Sequence, residues 1–356
     1  MFATGLNSRR ALVFSGLPML FLSAASRTAA QDADWIVESA DGGVEEVLES
    51  GERLPTLRSV VVVRNGNLLA ERYYHGASMA DLLAVNSVTK SVCSVLLGIA
   101  IEQGKIKGVS ETVAALLPEA AAEVPGSMAG TVTLEQILTG TTGIDYDMAK
   151  DFDALRQASD PVKYTLSLPA DGHSQPDWRY NDAAVGLIAP ILRRATGLRL
   201  EDYALQSLFK PLGFEGADWT ADQTGQARSY AGLRLRTRDV AKLAWTMSDG
   251  GKWRGAQVIP AHWVEASLRP RVPVTWTADP VEDMRYGYLW FTGRIKDRPV
   301  AWAWGYGSQF ALMVPSLHLV VATGALNPPQ QARENQHDTI MKLVSRIVER
   351  VGKLRD

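Results

Sequence analysis

Cysteine occurs once in the 356 residues, at Cys93, and histidine five times. A single thiol excludes an intrachain disulfide framework, and five scattered histidines add no ligand set for a structural zinc site. Positive charge has no majority either. The 37 Lys and Arg face 39 Asp and Glu, for a formal net charge of −2. Without a basic excess the chain is a poor partner for a phosphate backbone, so nucleic acid is not expected. Also missing are Gly-x-Ser-x-Gly, His-Glu-x-x-His, a Walker loop and a dinucleotide fingerprint. Their absence leaves elbow-type hydrolases, zinc peptidases and nucleotide-binding proteins without local support. His75, His173, His262, His318 and His337 each lie away from any nucleophile motif, so a histidine general base is not signalled. The Asp-x-Asp pairs Asp32/Asp34 and Asp145/Asp147 read as solvated loop acids, and no metal or cofactor is expected. What remains is ordinary globular composition, 46% hydrophobic and 21% charged, with length enough for one or two domains.

No apolar run is long enough for a comfortable membrane span of about 20 residues. Ala11 to Ala25 comes nearest, but Gly16 and Pro18 punctuate it. With Arg9 and Arg10 before it and Thr28-Ala29-Ala30 after it, residues 1–30 read as a secretory signal peptide. Losing Arg9, Arg10 and Arg27 with this leader would take the formal charge from −2 to −5. The expectation is a soluble, mildly acidic bacterial protein, periplasmic or secreted, with Cys93 a buried bystander.

Along the rest of the chain, Ser59-Val60-Val61-Val62-Val63, the turn Asn65-Gly66 and Leu68 to Tyr74 predict a β-hairpin. Four valines without alternation predict a strand covered on both faces. Helical spacing then runs from Ser87 to Gln103. A second helix starts at Thr133, with Gln136 completing a capping box. Residues 145–178 form a polar excursion with seven aspartates, and helices follow over Ala183–Ala195, bent or shifted by Pro190, and Glu201–Phe209. Later helices are expected near Arg238 and Pro260, strands over Tyr286–Phe291, Gln309–Val314 and Leu319–Thr323, and a terminal helix over Ile340–Val351. The fold class expected is α/β: an antiparallel sheet flanked by helices, with an inserted, mostly helical region. The sheet domain would comprise 31–86 and 226–356, the helical region 87–225, and a cleft would lie between them.

The remaining chemical signal is Ser-x-x-Lys, which occurs twice, at Ser87-Val88-Thr89-Lys90 and Ser207-Leu208-Phe209-Lys210. The second abuts Pro211 at a helix end and reads as charge placement. Ser87 stands where a loop becomes an apolar helix. Residues three apart share a helical face, so Lys90 Nζ can reach Ser87 Oγ, and the helix start brings backbone N–H groups close to a developing oxyanion. On local pattern this is a nucleophilic pair or an N-cap serine beside a snorkelling lysine. Ser91, Ser94 and Gly98 give the same side of the helix a small face, which leaves room for close packing.

Three ordered landmarks resemble the serine β-lactamase-like hydrolases, a group that includes class C β-lactamases, D-alanyl-D-alanine peptidases, penicillin-binding proteins, esterases and 6-aminohexanoate-dimer hydrolases. They are Asn86-Ser87-Val88-Thr89-Lys90 after the valine hairpin, Leu134 to Ile144, and Trp178-Arg179-Tyr180-Asn181-Asp182. Gly232-Leu233 with Arg238-Asp239 also matches the stretch before a late helix, and the likeness spans about 55–325. The resemblance implies that Ser87 attacks an acyl carbon, with Lys90 and Tyr180 as the proton-transfer pair and Lys90 supplying the charge that favours a phenolate. It places Asp182 where the family has asparagine, as a Lys-orienting group, a helix cap or an anchor for a substrate amine. Gly140 stands where the family has histidine.

The third family motif, Lys/His-Thr/Ser-Gly on an edge strand, aligns with Gly305-Tyr306-Gly307. The resemblance then gives Ser308 N–H to the oxyanion hole with that of Ser87, and Tyr306 and Gly307 to the substrate wall. Gly305 brings no cation for a substrate carboxylate, although Arg179, Arg285 or Arg294 could supply one from elsewhere. Trp178 and Trp304, with Trp302, flank the motifs and suggest an aromatic rim. The implied function is hydrolysis of a small-molecule ester or amide. A D,D-peptidase or β-lactamase, and a non-catalytic penicillin-binding-like ligand-binding protein, are the alternatives.

Overall fold

The computed structural model describes residues 35, 42–173, 177–328 and 333–353, with the backbone of residues 9–11. The signal-peptide reading of 1–30 lies almost entirely outside the described residues. Arg9–Ala11 alone is placed, its backbone antiparallel to Ala217–Thr220.

The larger sheet has eight strands: β1 (Leu57–Arg64), β2 (Asn67–Tyr73), β3 (Val272–Pro273), β4 (Val281–Tyr286), β5 (Phe291–Ile295), β6 (Arg298–Gly305), β7 (Gln309–Val314) and β8 (Leu319–Ala325). Their order is β2-β1-β8-β7-β6-β5-β4-β3, antiparallel throughout. Asn65 and Gly66 both take positive φ, 51° and 80°, the geometry a two-residue hairpin needs. The valine strand opens the sheet before the helical region begins. It then pairs with β8, Val60 to Val63 lying opposite Thr323 to Val320. All four valines are fully buried, as the unbroken apolar run requires. Helix α5 (Thr237–Ser248) packs against β1, β7 and β8. Helices α1 (Gly42–Glu49) and α6 (Arg333–Lys353) pack on each other, and Leu343, Val344 and Ile347 of α6 join the same core.

The helical region begins with α2 (Val88–Glu102), buried from Val88 to Ala100. Its small face is used as the spacing suggests. Ser91 Oγ donates to the Leu289 carbonyl at 2.7 Å, and a Cβ at Gly98 would overlap the Trp263 indole. Helix α3 (Leu134–Thr139) carries the full capping box, Thr133 Oγ1 accepting from Gln136 N–H and Gln136 Oε1 from Thr133 N–H. Two aspartates of the polar excursion are also caps: Asp147 for Met148–Gln157 and Asp160 for Pro161–Leu166.

Some expectations are corrected. The helix expected over Ala183–Ala195 is two, α4 (Asp182–Gly186) and Ile188–Thr196, which break at Leu187. Pro190 thereby sits in the first turn of the second helix, where its missing N–H costs little. The strand expected over Tyr286–Phe291 is interrupted. Gly287 is seated against the Ser267 carbonyl and Leu289 takes φ 61°, donating its N–H to Leu138 O at 2.9 Å, so the loop between β4 and β5 reaches α3. Strand β6 is interior rather than an edge. A smaller sheet, which the sequence pattern does not signal, pairs Ala217–Thr220 with Leu233–Leu235, and the latter with Leu83–Ala84. Residue 225 therefore falls in a loop between two paired strands.

Replacing Gly98 by Ala separates propensity from packing. Helix propensity alone would stabilise by up to about 1 kcal/mol. Overlap with Trp263 is expected to reverse the sign, with a net loss of about 1–3 kcal/mol in urea unfolding. A stabilised variant would contradict the close α2–Trp263 contact.

Candidate active site

Asn86, Ser87 and Lys90 form the start of the site. Asn86 holds φ at 48°, an uncommon conformation outside glycine, and its side chain fastens two neighbours. Its Nδ2 donates to the Tyr306 carbonyl at 2.6 Å and to Asn327 Oδ1 at 2.8 Å. The loop carrying Ser87 is thus tied directly to the turn between β6 and β7. Ser87 occupies the N-cap position of α2, yet its hydroxyl makes no capping hydrogen bond. The hydroxyl instead accepts from Lys90 Nζ at 3.1 Å, so the plain N-cap reading is corrected.

Lys90 is buried, its side chain 2% exposed, and its three N–H groups have three acceptors. These are Ser87 Oγ, the Tyr230 carbonyl at 2.8 Å and Asp182 Oδ1 at 2.6 Å. The Asp182 side chain is 4% exposed. Asp182 does not cap α4. Asn181 does, accepting from Ala184 N–H at 2.9 Å, which frees the Asp182 carboxylate to turn towards Lys90. That carboxylate faces the ammonium, the arrangement a Lys-orienting role requires.

Tyr180 completes the group. Lys90 Nζ lies 4.5 Å from its ring centroid. Burial, then the Asp182 charge, push the Tyr180 phenol well above its ordinary value, against the opposing pull of a hydrogen bond with Ser87. Both influences run against the expected phenolate. The Lys90 charge is matched by Asp182, and burial with the Asp182 field favours the neutral phenol at Tyr180.

The turn after β6 supplies the facing wall. Gly307 and Ser308 take φ 80° and 69°. Thr323 Oγ1 donates to the Ser308 carbonyl at 2.7 Å, and Gln309 Nε2 donates to the Ala325 carbonyl at 2.6 Å. Ser308 Oγ is buried without a partner among the described residues. A Cβ at Gly305 would overlap the Val85 carbonyl, so β6 approaches the strand before Ser87 only because position 305 has no side chain. Tyr306 is 42% exposed.

Of the aromatic residues, Trp302 is core, stacked on Phe291. Trp178 is buried against Gly140, whose absent Cβ makes room for its indole. Only Trp304 of the three is half-buried. Trp276, on the β3–β4 loop and not singled out by any motif, links these groups. Its ring lies 4.6 Å from Tyr180, 5.3 Å from Trp178 and 5.7 Å from Trp304. Spacing gave no sign of it, because it lies in an irregular loop remote from every landmark. Of the candidate cations, Arg179 is within 3.5 Å of Asp171 and 3.8 Å of Asp145, and Arg294 donates to the Asp297 carbonyl. Among the described residues, no cluster of His, Cys, Asp and Glu could hold a metal ion, and no helix is long and apolar enough to cross a membrane.

An antiparallel sheet backed by helices, with a helical region inserted after its first hairpin and a Ser-x-x-Lys helix start facing a strand turn, is the architecture of the β-lactamase and transpeptidase class of serine hydrolases. The chain belongs to the Beta-lactamase family, whose profile matches residues 52–340. A 6-aminohexanoate-dimer hydrolase of Paenarthrobacter ureafaciens is 30% identical over 225 residues, 58% of this chain and 56% of that relative. The chain thus spans little more than half the length of this curated relative. Among solved structures, a Bacillus anthracis protein assigned provisionally as a 6-aminohexanoate-dimer hydrolase superposes with TM-score 0.69 at 18% identity, covering 87% of this chain and 82% of that one. A class C β-lactamase from Rhodobacter sphaeroides gives 0.61 at 16%, covering 88% and 99%.

Replacing Lys90 by Met leaves the Asp182 carboxylate buried and unpaired. The expected loss is about 3–5 kcal/mol in denaturant unfolding, largely recovered in Lys90→Met/Asp182→Leu. Equal losses in the single and double variants would show that the two charges do not stabilise each other.

Proposed function

We propose that this protein is a serine hydrolase that forms an acyl-enzyme on Ser87 and acts on small, neutral esters or amides. The observation that carries this reading is the half-buried Ser87 hydroxyl, which takes no part in capping its helix and accepts from Lys90 Nζ at 3.1 Å. Lys90 and Tyr180 form the proton-transfer pair. As a neutral phenol, Tyr180 is suited to protonate the leaving group, and the same groups serve in reverse when water attacks the acyl-enzyme. The N–H groups of Ser87 and Ser308 receive the oxyanion, the second presented by a turn that Thr323 and Gln309 brace. Gly305 itself brings no basic side chain to a substrate carboxylate, Trp304 and Tyr306 line that side, and Trp276 packs against Trp304. This favours an uncharged, apolar acyl or linear chain over a β-lactam or a peptidyl-D-alanine. The amide branch draws support from the relative named as a 6-aminohexanoate-dimer hydrolase. The sequence of residues 1–30 supports export to the periplasm or beyond.

Steady hydrolysis of p-nitrophenyl acetate or butyrate is expected, falling to background in Ser87→Ala, with fluorophosphonate label mapped to the peptide containing Ser87. Tyr180→Phe should lower kcat by about 10²–10⁴ with the fold retained. Label elsewhere, or ester turnover that survives Ser87→Ala, would remove the assignment. Much faster turnover of nitrocefin or a D-alanyl-D-alanine peptide would move the substrate class to cell-wall peptides and penicillins.

A further inference from the structure

We propose that Asp182 is a positioning residue that turns Lys90 into a base: the buried Lys90–Asp182 pair, rather than a tyrosinate, receives the proton that Ser87 gives up. The inference rests on the hydrolase reading above and assigns the destination of its first proton. An ammonium whose three N–H groups are all donating cannot accept a proton until it loses one. Its acceptors are a hydroxyl, a peptide carbonyl and a carboxylate. Of these, only the carboxylate binds a proton readily. The Lys90–Asp182 contact is also the shortest of the three, at 2.6 Å.

The step balances. Lys90 Nζ passes a proton to Asp182 Oδ1, and the resulting amine takes the Ser87 proton as Oγ bonds to the acyl carbon. The carbonyl π pair moves to oxygen. The +1 and −1 charges of the resting pair become an ammonium and an oxyanion beside a neutral carboxylic acid. When the carbon–leaving-group bond breaks, its electron pair takes the Tyr180 phenol proton. The Tyr180 phenolate is then reprotonated with the proton held on Asp182, relayed by Lys90, and the resting state is restored. Burial assists, because a low-dielectric site brings the neutral amine–acid pair closer in energy to the ion pair.

The ionisable groups facing this pair are four phenols and one thiol. Tyr146, Tyr180 and Tyr286 are pushed above their ordinary values by burial, as is Cys93, and Tyr230 is pushed up to about 12. All five are pushed away from neutrality, so none of them accounts for a change of rate in that range.

The rate of Ser87 acylation by a fluorophosphonate, with p-nitrophenyl butyrate hydrolysis alongside it, should in the wild type rise on an acidic limb and stay level from about pH 7 to about pH 9. In Asp182→Asn, which keeps the side-chain shape, the rate at pH 7 should fall at least about 100-fold with KM little changed. The limb should move alkaline, because the proton Lys90 sheds must now leave to solvent and no longer to a carboxylate 2.6 Å away. A wild-type rate that climbs steadily towards pH 10, or an Asp182→Asn profile that superimposes on the wild type, overturns the inference. Should Asp182→Asn fail to fold in thermal unfolding, the wild-type profile decides alone. A wild type that is neither labelled nor active instead refutes the hydrolase reading.

Discussion

Two opposite charges are buried together behind Ser87, and the arrangement of the cleft follows from making that tolerable. Removing an ammonium or a carboxylate from water costs several kcal/mol even after relaxation, and the cost is offset only where every donor finds an acceptor. Lys90 meets that condition with groups from three places: the start of its own helix, the start of α4, and the Tyr230 carbonyl. The register of these three segments is therefore specified by one nitrogen. Around this formally neutral pair, burial is the largest influence on the surrounding phenols and raises them. At Tyr180 the Asp182 charge adds to burial in the same direction.

The opposite wall depends on a different constraint, backbone brought close to backbone. Gly305 lets β6 lie against the Val85 carbonyl, and Asn86 then reaches across to the Tyr306 carbonyl and Asn327. The family places a basic side chain where this chain has none, and the close approach explains why none can be accommodated without moving the strand. Aromatic rings occupy the neighbouring surface, which supports the proposed preference for apolar contact over a charge clamp.

Much of this was legible in the residues. Asn65-Gly66 between valine-rich strands can form little except a tight hairpin, and Thr133 with Gln136 specifies a helix start through two local hydrogen bonds. Ser87 and Lys90 are three residues apart on one helix, so their contact is a property of helical geometry alone. Where local signals competed, the reading slipped. Asp182 and its neighbour Asn181 are both good caps, and nothing in their order says that the asparagine caps and the carboxylate turns to Lys90. The strand texture of Tyr286–Phe291 hid a loop held open by Ser267 and Leu138, both distant in sequence. Trp276 belongs to no motif and acquires meaning only from the rings around it.

The amino-acid order by itself determined the class of fold, the helix start that carries serine and lysine, and the missing cation of the third motif, because each depends on spacing within a few residues or on the absence of a side chain. Only the tertiary structure decided that the lysine is paired with Asp182 and that the tyrosine is buried beside that carboxylate. Charge state in a buried site is set by groups brought together from remote segments and by the water they exclude, and neither is written in the neighbouring sequence.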